Sequence, residues 1–155
     1  MKAASYLVNV LNIKNFTIDL FGSGDEKYIE ALTNLISEQG LEDNVFLKGF
    51  DIDIRSKLKQ YDTGIISSFH EAYGLVGLEY LYANIDILSA QSGIFNEFKV
   101  NKSVVKMFDP YNHLELANLM RKKINSRIED FDDDYTDFFD INKSVKVLNN
   151  LYKNV

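Results

Sequence analysis

Five short apolar runs in this chain alternate with stretches of helical periodicity, and short polar or glycine-containing loops join them. That alternation limits the fold more than any other property. The runs are Phe16 to Phe21, Asn44 to Lys48, Thr63 to Ser67, Ile85 to Ser89 and Ser103 to Phe108. Each is short enough for a strand, and Phe16 to Phe21 reads as a buried one. Between them, Asp25 caps a helix with Tyr28, Ile29, Leu32, Leu35 and Ile36 on its apolar face, and Gly40 closes it. Further helices are expected at Ala3 to Leu11, Ile54 to Gln60, Gly74 to Tyr82 and His113 to Asn125, with a helical turn at Phe95 to Lys99. Strands that alternate with helices indicate an α/β fold, a parallel sheet covered by helices on both faces. Ligands of such folds sit beyond the carboxyl ends of the strands.

The chain has 155 residues, one domain's worth. We read 1–155 as a single Rossmann-like domain, with about 126–155 as a C-terminal helical extension that includes a last helix from about Ile141. A hydrophobic content of 46% is enough for a core. The net charge of -6 argues against binding nucleic acid or an anionic membrane surface. With no cysteine, disulfide frameworks and thiolate metal sites are excluded. No apolar run reaches membrane-spanning length and no signal peptide is legible, so the cytoplasm is the expected location. The acidic tract from Glu129 to Asp134 reads as a solvated connection, since it lacks the spacing of a calcium loop.

Chemistry concentrates in the stretch from Ser67 to Tyr80. Glu71 and Glu79 stand there with seven residues between them. Glu71 falls in the loop that leaves the Thr63 to Ser67 strand, and Glu79 falls about two turns into the next helix. The amides around Gly74 and Leu75 open that helix, where N–H groups bind phosphate. A sugar nucleotide needs these three things: an acceptor for sugar hydroxyls, a cradle for the diphosphate and an acceptor for ribose hydroxyls. Other motifs fall away. Gly22-Ser23-Gly24 is not a dinucleotide fingerprint, because Lys27 stands where the third glycine belongs, and that disfavours a nicotinamide-dependent oxidoreductase. Ser67 and Ser68 form no nucleophile elbow. His70 and His113 are far apart in sequence, so no zinc site is expected.

Taken in order, these pieces resemble the C-terminal, donor-binding domain of GT-B glycosyltransferases, in particular the retaining class called family 4. The resemblance covers roughly Lys2 to Leu119. Lys2-Ala3-Ala4-Ser5 is similar to the family's Lys-Gly helix start, and Ile18 to Gly24 to its second strand and Gly-x-Gly turn. Val45 to Gly49 resembles its third strand, and Tyr61 to Ser68 its fourth. Glu71 to Glu79 matches the Glu-x7-Glu motif, and Ser92-Gly93-Ile94-Phe95-Asn96-Glu97 resembles the Gly-Gly-x-x-Glu turn.

The resemblance implies roles for particular residues. Glu71 would contact the donor sugar close to the transferring carbon, in the catalytic position. Glu79 would bind the ribose hydroxyls. The amides from Gly74 through Leu75 to Val76 would hold the distal phosphate, and Tyr73 lies in the same loop. The backbone around Phe50 would meet the nucleobase, Gly22 and Gly24 would form the first turn of the cleft, and Lys2 would face the diphosphate. Glu97 would either cap its turn or touch the sugar. No metal is expected, and the one small-molecule partner is a nucleotide-diphosphate sugar, with UDP as the carrier. The implied activity is hexosyl transfer in glycan or cell-surface polysaccharide synthesis. The alternative is a non-catalytic sugar-nucleotide-binding or partner-binding module. A separate N-terminal acceptor domain, or self-association, would complete either one.

One departure has structural consequences. The family's first strand, central in its sheet, and the Gly-Arg turn after it both precede the position of Lys2. Removing a strand from the middle of a parallel sheet bares two edges. The expectation is that the flanking strands close up and pair, or that another copy covers the edge, or that stability is marginal.

Overall fold

The computed structural model describes residues 1–70, 74–91, 95 and 104–126. The expected helical turn at Phe95 to Lys99 and the helix from Ile141 lie outside these residues, apart from Phe95. Helix α1 (Lys2–Ser5) runs directly into a π-helical turn, Tyr6–Val10. Strand β1 (Ile18–Phe21), helix α2 (Glu26–Glu38) and strand β2 (Val45–Gly49) follow. Helix α3 (Ile54–Lys57) tightens into a 3-10 turn at Leu58–Gln60. Then come β3 (Thr63–Ile66), α4 (Leu75–Tyr82), β4 (Asp86–Ala90), β5 (Val105–Phe108) and α5 (His113–Asn125).

All strand pairings are parallel, as expected, but they form two sheets and not one. One holds β1 and β2, with Ile18 opposite Val45. The other has the order β3-β4-β5, with Thr63 opposite Asp86 and Ile87 opposite Val105. Among the described residues β1 and β3 do not pair, so of the three expected compensations the direct pairing of the flanking strands is not the one seen. Side chains span the division instead. The Tyr61 hydroxyl donates to Asp19 Oδ2 at 2.8 Å. The Tyr61 ring also meets Phe21 edge-on, with centroids 6.0 Å apart. Burial, and then the Asp19 hydrogen bond, push the Tyr61 phenol above its ordinary pKa. Around this bridge lies a cleft of about 460 Å³, lined by Thr17 and Ile18 from one sheet, Thr63 and Leu88 from the other, and Met120 beneath. Tyr61 thus links the two sheets through its side chain where the described strands β1 and β3 do not pair.

The first helix joins the two sheets. Ala3 and Leu7 pack with Leu88, Ala90 and Phe108 of the three-stranded sheet and with Ala117 and Met120 of α5. Their neighbours Ala4 and Val8 pack with Ile36, Leu41 and Val45 on the two-stranded one. Adjacent residues of a helix point about 100° apart, so one helix presents two stripes. The expected uninterrupted helix from Ala3 to Leu11 is corrected here: it begins at Lys2, and its end widens, with the Leu11 N–H donating to the Tyr6 carbonyl. Such a π turn adds a residue to the turn and rotates the side chains that follow.

The three-stranded sheet is covered on both faces. Ile87 turns to the α4 side, with Ile66, Leu78, Leu81 and Val105. Leu88 turns to the side of α1 and α5. Alternation along β4 therefore feeds two cores. Gly64 permits the closest approach, since a Cβ there would stand 2.2 Å from the Tyr80 ring. The expected strand at Phe16 starts two residues late. Buried Asn44 takes up the backbone there, donating to the carbonyls of Lys14 and Phe16. Tyr28, expected on the buried face of α2, is 57% exposed and lies over Gly24 instead.

Candidate functional site

Two candidate positions directly follow strands, Gly22 after β1 and Phe50 after β2. Gly22 ends β1 and its N–H donates to the Gly49 carbonyl at 2.9 Å, so the first turn and the loop carrying Phe50 are joined. Phe50 is 73% exposed, a ring with no core to fill. The loop beyond it is braced. Lys57 Nζ donates to Asp51 Oδ2, and Asp51 Oδ1 accepts the Asp53 N–H. The Lys57 hydrogen bond, and secondarily that of Asp53, lowers the Asp51 pKa from its ordinary value.

Helix α4 supplies the next elements. Gly74 precedes it with φ 79° and ψ 55°, a left-handed conformation that costs glycine little and other residues more. Leu75 and Val76 follow, both exposed. Their N–H groups open the helix, where no intrahelical acceptor exists. Gly77 and Leu78 turn inward, and Glu79 comes next, partly exposed. Its carboxylate is engaged by Arg55 of α3: Nε donates to Oε1 at 2.9 Å, and Nη2 lies 2.7 Å from the same oxygen. Beneath this pair Ile54 and Tyr80 pack on Leu58, Ala83 and Ile85. Burial, and secondarily the Glu79 charge, raise the Tyr80 pKa.

The structure thus joins Gly22 to the Phe50 loop, and ties the helix after that loop to Glu79. Gly24 lies over the start of α2, against Tyr28. Lys2 opens α1 with its side chain exposed. Glu71, Tyr73 and Glu97 lie outside the described residues. Two features escaped the sequence reading. One is Arg55, a basic residue on a short helix that no spacing rule links to Glu79, 24 positions away. The other is a pair of exposed rings, Phe69 after β3 and Tyr111 after β5, with centroids 5.0 Å apart. Their exposure beyond strand ends is the only signal that could have marked them. Among the described residues no cluster of three or more His, Cys, Asp or Glu side chains could hold a metal, and no helix is long and apolar enough to cross a membrane.

Comparison with known proteins is consistent across sequence and structure. The family profile described as Glycosyl transferases group 1 matches residues 1–136. None of the curated proteins matches the chain. Among solved structures, Anabaena HepE in complex with UDP superposes with a TM-score of 0.64 at 22% identity, over 79% of this chain and 43% of that one. S. aureus TarM gives 0.70 at 20% identity, over 80% of this chain and 24% of that one. The C-terminal domain of a glycosyl transferase group 1 family protein, LpcC from Francisella tularensis, gives 0.67 at 18% identity, over 81% and 67%. The chain therefore spans less than half the length of HepE and of TarM.

Proposed function

Because this chain belongs to the glycosyl transferases group 1 family, with the α/β architecture of GT-B glycosyltransferases, we propose that it is the donor-binding part of a retaining glycosyltransferase. Its donor is a hexose carried on a nucleoside diphosphate, and UDP is the first carrier to test, since HepE and TarM are both seen with UDP. The observation that carries this reading is the placement of Glu79 on α4, the helix that Leu75 and Val76 open, tied to the Phe50 loop through α3. A carboxylate accepts ribose hydroxyls, helix-opening amides accept phosphate, and an exposed ring beside a loop backbone accommodates a base.

In the transfer, the bond from the sugar's anomeric carbon to the phosphate oxygen breaks and the electron pair leaves with the nucleoside diphosphate. A bond to an acceptor hydroxyl forms on the same face, and the hydroxyl proton passes to the departing phosphate. Amide dipoles that face the leaving phosphate stabilise its growing charge, so the reaction needs no metal in this scheme. In this reading Glu71 contacts the sugar, Lys2 meets the diphosphate, and Glu97 either caps its turn or touches the sugar. The site would serve glycan or cell-surface polysaccharide synthesis in the cytoplasm.

Thermal melting against UDP, GDP, ADP and their hexoses tests this reading. A ligand at 100 times its Kd stabilises the folded state by about 2.7 kcal/mol. One of the diphosphates should raise the melting temperature by several degrees, and dinucleotides such as NAD should not. No shift with any diphosphate would overturn the reading.

The partial span relative to HepE and TarM favours a second statement about catalysis. The 155-residue chain by itself should bind donor yet release no nucleoside diphosphate from it above background, with the acceptor surface supplied by another domain or polypeptide. Sustained release in a coupled assay, with no other protein added, would refute that. If release stays absent even when an acceptor-binding half is added, the non-catalytic binding module becomes the better reading.

A further inference from the structure

Arg55 addresses one oxygen of Glu79: Nε donates to Oε1 at 2.9 Å, and Nη2 lies 2.7 Å from the same atom. Both contacts fall on Oε1. Oε2 has no hydrogen-bond partner among the described residues. The Arg55 side chain is 78% exposed, against 27% for Glu79. The guanidinium is thus held chiefly by that carboxylate and not by the core. The helix beneath it is fixed, because Ile54 of α3 and Tyr80 of α4 both pack on the cluster of Leu58, Ala83 and Ile85. The residues next to them in sequence, Arg55 and Glu79, form the ion pair above that shared core.

We propose that Arg55 is a positioning residue for the nucleotide: it locks Glu79 through Oε1 and leaves Oε2 as the acceptor for the ribose diol. The proposal rests on the reading of Glu79 as the ribose contact. A lone glutamate on a helix surface samples several rotamers, and ordering it on binding costs entropy. A planar guanidinium that both hydrogen-bonds and ion-pairs with one oxygen fixes the carboxylate beforehand. It also offsets a negative charge that would otherwise repel an incoming diphosphate. Those two effects differ in what they predict. Charge compensation strengthens every nucleoside diphosphate equally, whereas orientation of Oε2 strengthens only those with ribose hydroxyls.

Titration calorimetry of the full chain with UDP and with 2′,3′-dideoxyuridine diphosphate separates them. The unaltered chain should prefer UDP by ~10-fold or more, the value of a hydrogen bond to a charged acceptor. Glu79→Gln should reduce that preference, and Arg55→Ala should reduce it to about 2-fold while UDP binding weakens. Arg55→Lys should restore affinity for both ligands but not the preference, because an ammonium brings the charge without the planar fork. Melting curves confirm that each variant folds. If Arg55→Ala weakens both ligands equally, or changes neither, while Glu79→Gln abolishes the preference, the positioning role is overturned and the ribose reading stands. If the unaltered chain shows no preference, or Glu79→Gln leaves it intact, the ribose reading and the role of Arg55 fail together.

Discussion

Leu88→Ala should lower the free energy of unfolding by about 3 kcal/mol, within the range of about 2–5 kcal/mol for a buried leucine truncated to alanine. Leu88 is 1% exposed on β4, the middle strand of its sheet. Its side chain lies in the cluster that α1, β5 and α5 build with Ala3, Leu7, Phe108 and Met120. Strands on both sides hold its backbone, at Ile65 and Lys106. Such a site cannot collapse around a lost side chain, so the cavity term is large. Leu88 also lines the cleft between the sheets, and its loss would widen that cleft. Denaturant unfolding of the two proteins checks the value, and at this size the melting temperature should fall by roughly 6–12 °C. A change below about 1 kcal/mol would mean that the cluster repacks, and that the first helix is less firmly seated than its buried alanines indicate.

Glu79→Ala should weaken UDP binding by roughly 10- to 150-fold, the equivalent of about 1.5–3 kcal/mol for a hydroxyl hydrogen bond to a charged acceptor. Glu71→Ala should leave UDP binding unchanged within about 2-fold and weaken only the increment that a hexose adds. The reason is position: Glu79 stands on a helix braced by Arg55, and Glu71 belongs to the loop between Ser67 and Gly74. Paired titrations with UDP and UDP-glucose give both numbers. Equal losses for both ligands in Glu71→Ala would move that carboxylate from the sugar to the nucleotide. Unchanged binding in both variants would remove the Glu-x7-Glu pair from the site altogether.

Local chemistry made much of the fold legible. Helix α5 spans His113–Asn125 as its apolar spacing indicates, and the Asn112 side chain accepts the Glu115 N–H at its start. Helix α2 begins after Asp25, whose Oδ1 accepts the Tyr28 N–H at 2.8 Å, and the chain turns at Gly40 with φ 60°. Caps and turns of this kind involve neighbours in sequence, so one sequence suffices to find them. The five strands were legible for a related reason: β4 is apolar on both faces because helices cover both. Strand ends were less so, and Phe16 reads as strand only until buried Asn44 claims its carbonyl from 28 residues away.

What only the tertiary structure decided depends on residues that meet across the chain. Apolar patterning says that a segment is buried and leaves its neighbour open, so nothing local could tell that β1 and β3 would stand apart with Tyr61 donating across to Asp19. The same holds for the first helix, whose two stripes look like one broad apolar face until two sheets divide them. It holds also for Arg55 and Glu79, which no spacing rule links across 24 positions. The sequence by itself determined which residues could accept, cradle or cap, because those properties belong to single side chains and their near neighbours. Which of them act together was set by packing, since α3 and α4 meet only after Ile54, Tyr80, Leu58 and Ile85 have found a common core.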